Sequence, residues 1–170
     1  MTLNARILKA VLILPFNAAG TVPAIVLWLA GLSRWREPWA TMGIATGAVL
    51  IVAAVYGGYR TLTLFARTGE GTPGPWDPPK HLVVEGPYRH VRNPMISSVV
   101  FALIGEALVF NSAALSIYAA VFLVGNLVYI RLFEEPALVE RFGEEYVEYR
   151  RNVPAWIPRL KPWVPGRGQT

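Results

Sequence analysis

Long apolar runs, broken by brief polar segments, set the first expectations. The run from Ile7 to Leu32 is long enough to cross a bilayer, which takes roughly 20 apolar residues. It carries Pro15, Asn17, Gly20 and Pro23, so it predicts a kinked or broken helix, because proline removes a backbone donor and crowds the preceding turn. A short connection with Arg34, Trp35, Arg36 and Trp39 follows, its tryptophans suited to an interfacial belt. A second run, from about Thr41 to Phe65, is rich in Gly, Ala and Val, which let helices approach closely in lipid. A third starts at Pro94, where the missing donor of proline suits a first helical position, and ends near Phe110. A fourth runs from about Ala113 to Phe133, with Asn111-Ser112 between the two as the turn of an antiparallel hairpin.

The polar segments have their own character. Arg67 to Asn93 is hydrophilic, and its Gly- and Pro-rich part from Gly69 to Lys80 predicts a loop that orders or closes over something. From Glu134 the chain turns amphipathic, with Leu138, Phe142, Tyr146 and Tyr149 at helical steps among glutamates and arginines, as in an interfacial helix. A tail punctuated by Pro154, Pro158, Pro162 and Pro165 follows. The pattern predicts one all-α, polytopic membrane domain over residues 1–170 with about four transmembrane helices. Its parts are two N-terminal spans (1–66), a cytoplasmic loop (67–93), a C-terminal antiparallel helical hairpin (94–133) and a cytoplasmic amphipathic helix with its tail (134–170).

Composition agrees. Only 16% of the residues are charged, against roughly 25% in soluble domains. The net charge of +5 fits anionic headgroups beside apolar spans, and nucleic acid is not expected as a partner. Four spans put both termini on one side, together with Arg6, Lys9, Arg67, Lys80, Arg89, Arg92 and the basic tail, and leave Arg34 and Arg36 opposite. The charge bias makes the crowded side cytoplasmic. Cysteine is absent, which excludes disulfides, thiolate metal sites and a thiol nucleophile.

Two polar clusters stand at the two ends of the hairpin. One runs from His81 through Tyr88, Arg89, His90 and Arg92 to Asn93-Pro94; the other holds Arg131, Glu134, Glu135, Arg141 and Tyr146. Antiparallel helices joined by two residues bring these clusters side by side at the cytoplasmic interface. Each has a plainer reading by itself. Arg131 and Glu135 form an ordinary i,i+4 helix pair at a membrane boundary, and the basic run is an anchor for anionic lipid. Glu106, inside the third run, is a functional candidate or a hydrogen-bonded structural group beside Asn126 or Asn17.

Leu82-Val83, Gly86-Pro87-Tyr88-Arg89, Val91-Arg92-Asn93-Pro94-Met95, Arg131 with Glu134-Glu135, Phe142-Gly143 with Tyr146 and Tyr149, then Val153-Pro154 and Ile157-Pro158 together carry a resemblance. Their order around a helical hairpin resembles the isoprenylcysteine carboxyl methyltransferase and phospholipid methyltransferase superfamily, over roughly residues 67 to 160. The resemblance implies a compact helical membrane core that binds S-adenosylmethionine at its cytosolic end, with the pre-hairpin loop and the C-terminal segment covering it. It assigns cofactor contacts to Lys80, His81, Leu82, Val83, Tyr88, Asn93 and Pro94, and the cofactor's ammonium to Glu135. The resemblance also places Arg131 toward the methyl acceptor. Asn93 stands where the family more often has histidine, and Ile96 where it has tyrosine, so Asn93 can position but not act as a base near neutral pH.

Methyl transfer from a sulfonium needs alignment, water exclusion and a deprotonated acceptor. A carboxylate acceptor is already anionic, and Arg131 can orient it; an amine acceptor needs a base, which Glu134 or His90 can supply. The expected substrate is a hydrophobic or lipid-like small molecule entering from the bilayer, with membrane lipids as surroundings and no obligate protein partner. Two other classes stay open: a membrane reductase of related architecture, and a non-enzymatic membrane protein that binds lipid or a partner.

Overall fold

A computed structural model describes residues 15–31, 39–68 and 80–165, with the main chain alone over 65–68. Every regular element among the described residues is helical. The chain enters through a π turn at Asn17–Thr21 and continues as α1 (Val22–Ala30). Pro23 is the cause: it has no N–H to give, and its ring crowds the turn before it. The N–H of Val22 reaches back to the carbonyl of Asn17. The Ala18 carbonyl is thereby left over, and the hydroxyl of Tyr118 donates to it at 3.0 Å. The expected irregularity of the first run is therefore a widened turn, while residues 7–14 and 32 of that run lie outside the described residues.

The second run forms α2 (Trp39–Thr68), somewhat longer than its apolar pattern indicated. A 3₁₀ turn at Gly86–Arg89 precedes α3 (Pro94–Val109), which starts at the proline expected to start it. Residues 110–112 make the turn to the next helix. Asn111 takes a positive φ of 47°, which asparagine tolerates better than most residues, and the Ser112 hydroxyl caps the helix by accepting from Leu115 N at 3.3 Å.

That helix, α4 (Ala113–Tyr129), does not stop where its apolar run ends. It passes through a second π turn, Ile130–Glu134, straight into α5 (Glu135–Phe142). Pro136 repeats the logic of Pro23: the turn widens before it, and the N–H of Glu135 reaches the carbonyl of Ile130. Gly143, at φ 56° and ψ −133°, then breaks the helix in a conformation that a side chain resists, and α6 (Glu144–Asn152) leaves in a new direction. The amphipathic region expected from Glu134 is thus two short helices, the first of them continuous with the apolar one.

Two helical stretches are long and apolar enough to cross a membrane, Trp39–Leu64 and Ala113–Phe142; Asn17–Ala30 and Pro94–Val109 are shorter apolar helices. α3 lies between α2 and α4. Against α2 it packs backbone to backbone: a Cβ on Gly47 would sit 2.6 Å from the Gly105 carbonyl oxygen, and one on Gly105 would sit 2.7 Å from that of Gly47. Further along, a Cβ on Gly57 would meet the Ser98 hydroxyl at 2.7 Å. Pairing 47 with 105 and 57 with 98 makes α2 and α3 antiparallel. Small residues permit this approach, which replaces the hydrophobic drive that lipid does not supply.

Val99 and Leu103 of α3 form a core with Ala119 of α4, against Ala18, Ala19, Tyr118 and Phe122. Outward, Trp28, Val52, Val55, Ile117, Val121 and Phe133 are exposed. An apolar belt of this kind is stable in a hydrocarbon solvent. Inside α3, the Oε2 atom of Glu106 is buried with no hydrogen-bond partner among the described residues. The amide of Asn126 donates to the Phe122 carbonyl of its own helix at 2.8 Å.

Candidate functional site

The irregular segment before α3 is held by the C-terminal tail. Arg92 N donates to the Pro154 carbonyl at 2.9 Å, Arg159 N to that of His90 at 3.0 Å, and Trp163 N to that of Arg89 at 2.9 Å. Side chains add to this. Arg89 Nε reaches the Trp163 carbonyl at 2.7 Å, Arg92 Nε that of Val153 at 3.0 Å, and the Asn93 amide that of Ala155 at 3.1 Å. A segment without regular structure must satisfy its backbone groups somewhere, and here two such segments satisfy each other. The prolines of the tail keep it extended and suited to that pairing.

Beneath the tail, Tyr146, Tyr149 and Val153 form a second core with Leu82, Val84, Leu138, Val139, Phe142 and Trp163 around them. The Tyr149 hydroxyl donates to the Tyr88 carbonyl at 2.8 Å. Burial pushes the phenols of Tyr88 and Tyr149 well above the ordinary tyrosine range, and that of Tyr146 upward too. All three are neutral hydrogen-bonding groups at physiological pH.

At the centre lies Glu135, 4% exposed. Its Oε1 accepts a hydrogen bond from the Arg92 guanidinium, which also donates to the Tyr146 hydroxyl at 3.2 Å. Its Oε2 faces Arg131 at 3.3 Å and Arg150 at 3.7 Å. The two oxygens differ in quality of partner. The Arg92 side chain is 11% exposed and triply anchored, whereas that of Arg131 is 74% exposed. A buried carboxylate needs this company, because desolvation of an isolated charge costs several kcal/mol. Three guanidinium groups around one carboxylate, with Glu134 next to it, leave a surplus of positive charge.

The second π turn is what makes this arrangement. It carries Arg131 and Glu134 and delivers Glu135 inward, while Leu132 and Phe133 stay on the outer surface. Arg131 thus sits among bilayer-type side chains and within reach of the buried centre at once.

Of the residues expected at the site, the structure gathers Tyr88, Asn93, Pro94, Arg131, Glu134 and Glu135 at the junction of the pre-α3 segment with the α4–α5 run. Val83 is buried, and Leu82 packs on the tyrosine core. Lys80 and His81 are exposed at the edge. Expectation missed Arg92, Tyr146 and Arg150 as the partners of Glu135. Arg92 stood inside the Val91-Arg92-Asn93-Pro94 motif and Tyr146 beside Phe142-Gly143, but nothing local reveals which charge the fold turns inward.

Comparison with known proteins gives the chain a family. A nickel-cobalt-cadmium resistance protein, NccN, of Alcaligenes xylosoxydans xylosoxydans is 26% identical over 137 residues, which cover 80% of this chain and 60% of that protein. The chain therefore spans less than two thirds of that relative's length. No solved structure matches it. The model of the phospholipid methyltransferase family matches residues 39–145, well over half of the chain, from the start of α2 into α6. That stretch contains the helices, the segment before α3 and the buried glutamate that build the site, and by it the chain belongs to the phospholipid methyltransferase family.

Proposed function

We propose that the chain transfers a methyl group from S-adenosylmethionine to a lipid-like or membrane-borne acceptor, a carboxylate or an amine, at the cytoplasmic membrane face. The observation that carries the reading is the unequal pairing of Glu135: Oε1 is locked by Arg92, while Oε2 has only the more distant Arg131 and Arg150. A ligand ammonium competes for Oε2 at little cost, because exposed ion pairs are worth about 0–1 kcal/mol. The residues present therefore fit the cofactor's amino acid end. Arg150, the other distant partner of Oε2, suits the carboxylate of the same end.

When bound, the cofactor would supply an electrophilic methyl group on a sulfonium, for transfer to an oxygen or nitrogen of the acceptor. The chain's residues do the rest. Tyr88, Asn93, Pro94 and the backbone of Lys80, His81, Leu82 and Val83 would hold the cofactor in place. Arg131, released from Oε2, turns to the acceptor among Leu132 and Phe133 and orients a carboxylate. For an amine acceptor, Glu134 takes the proton. The topology that goes with this reading has four spans, both termini cytoplasmic and the acceptor entering laterally.

Calorimetric titration of the detergent-purified protein with S-adenosylmethionine and its demethylated product tests the reading, beside Glu135→Gln with its melting temperature as the control for folding. Micromolar binding by the wild type and none by a folded Glu135→Gln supports it. A folded wild type that binds neither ligand ends it.

A further inference from the structure

The turn at Gly86–Arg89 borders a second space that the methyl-transfer reading leaves unused. Gly86, Pro87, Arg89 and His90 meet Tyr56, Gly57 and Arg60 of α2 and Pro162 of the tail around a cleft of about 480 Å³. Among the described residues its charged lining is wholly basic, with no carboxylate in it. The Arg60 guanidinium is held by a neutral group, donating to the Tyr56 hydroxyl at 3.0 Å and lying 5.8 Å from the centre of that ring. Arg89 is likewise tied to a carbonyl rather than an acid. His90 Nδ1 lies 2.8 Å from the Arg159 carbonyl oxygen, which can only accept, so the proton sits on Nδ1 and Nε2 is left for another group.

The same Tyr56 ends an apolar groove of about 470 Å³ along α2, lined by Ala48, Val49, Val52 and Ala53. These positions share one helix face, and from Ala48 to Tyr56 the face is about 12 Å long. The groove lies on Trp39–Leu64, one of the two stretches suited to span a membrane. A basic cleft and a bilayer-facing groove therefore join at one residue.

We propose that this pair of spaces binds one glycerophospholipid with an acidic, amine-free headgroup, its phosphate between Arg60 and Arg89 and one chain along Ala48 to Tyr56. Two guanidinium groups suit a phosphate. The described lining, basic and without a carboxylate, selects against a headgroup ammonium, which it would leave unpaired beside cations. The lipid is a resident and not the methyl acceptor, since it offers no amine and its cleft includes none of Arg131, Glu134 and Glu135. It ties α2 to the segment that leads into Tyr88 and Arg92.

The test is native mass spectrometry of the delipidated full chain, titrated with phosphatidylglycerol and, separately, with phosphatidylcholine, beside Arg60→Gln and the groove-filling Ala53→Trp. Circular dichroism serves as the folding check. The expected result is one retained phosphatidylglycerol, with binding about tenfold weaker for phosphatidylcholine and for each folded variant. Equal binding of the two lipids overturns the proposal. So does unchanged phosphatidylglycerol binding in both variants, or a dimer that closes the groove and excludes lipid.

Discussion

Arg92 and Glu135 stand 43 residues apart in the chain and meet as a buried ion pair where the start of α3 reaches the end of the α4–α5 run. Removing one partner strands a charge in a desolvated place, at a cost of about 3–5 kcal/mol. Arg92→Leu and Glu135→Leu should each show such a loss in denaturant unfolding of the micellar protein. The double variant should lose clearly less than the sum of the two. Strict additivity would mean that the pair is not coupled.

The Gly47–Gly105 contact makes a second prediction. Gly105→Ala sets a methyl group 2.7 Å from both the Gly47 carbonyl oxygen and Ile51 Cγ1. The helices must part, and overpacking of this kind costs about 1–3 kcal/mol. Gly125→Ala meets nothing within 4 Å and should be neutral or gain up to about 1 kcal/mol from helix propensity. The melting temperature should fall for Gly105→Ala and not for Gly125→Ala; an unchanged or raised value for Gly105→Ala would contradict the close approach.

Arg131 contributes little to stability by its exposure, so Arg131→Ala should change the unfolding free energy by no more than about 1 kcal/mol. Under the proposed function it should raise KM for a carboxylate acceptor while cofactor binding becomes no weaker, because a competitor for Glu135 Oε2 has gone. Calorimetry and steady-state kinetics on one preparation separate the two effects. Weaker cofactor binding with unchanged KM would reverse the assigned role.

The phenols of Tyr88 and Tyr149 are raised by burial, so the folded state favours their protonated form. That contribution is fully present below the unfolded tyrosine value of about 10 and is lost as pH rises through the folded values. Stability should therefore fall at alkaline pH, and ultraviolet titration should show late-ionising tyrosines. Tyr149→Phe, which gives up the bond to the Tyr88 carbonyl, should cost about 1 kcal/mol near neutral pH and flatten part of the alkaline loss. An alkaline profile identical to wild type would exclude Tyr149 as a contributor.

The juxtaposition that makes the candidate site was legible in the residues. Tyr88, Asn93, Arg131, Glu134 and Glu135 belong together because two segments flank a pair of helices joined by a short turn. The environment of Glu135 was not legible. Its i,i+4 partner Arg131 is visible in the chain, but the stronger partner, Arg92, comes from another element. Pro136 held a signal that went unread: two residues after Glu134 it forces the π turn that sends Glu135 inward.

What the sequence determined by itself is what local covalent chemistry controls. Pro94 starts α3, Asn111 and Ser112 turn and cap, and Pro23 widens the first helical run, since each effect needs only a missing donor or a short side chain. What the tertiary structure alone decided is which long-range groups satisfy one another. The tail supplies backbone partners to residues 89–92, Gly47 and Gly105 set the spacing of α2 and α3, and a glutamate and an arginine exchange water for each other. These are properties of distance in space, and many pairings of distant residues are compatible with one pattern of apolar and polar positions.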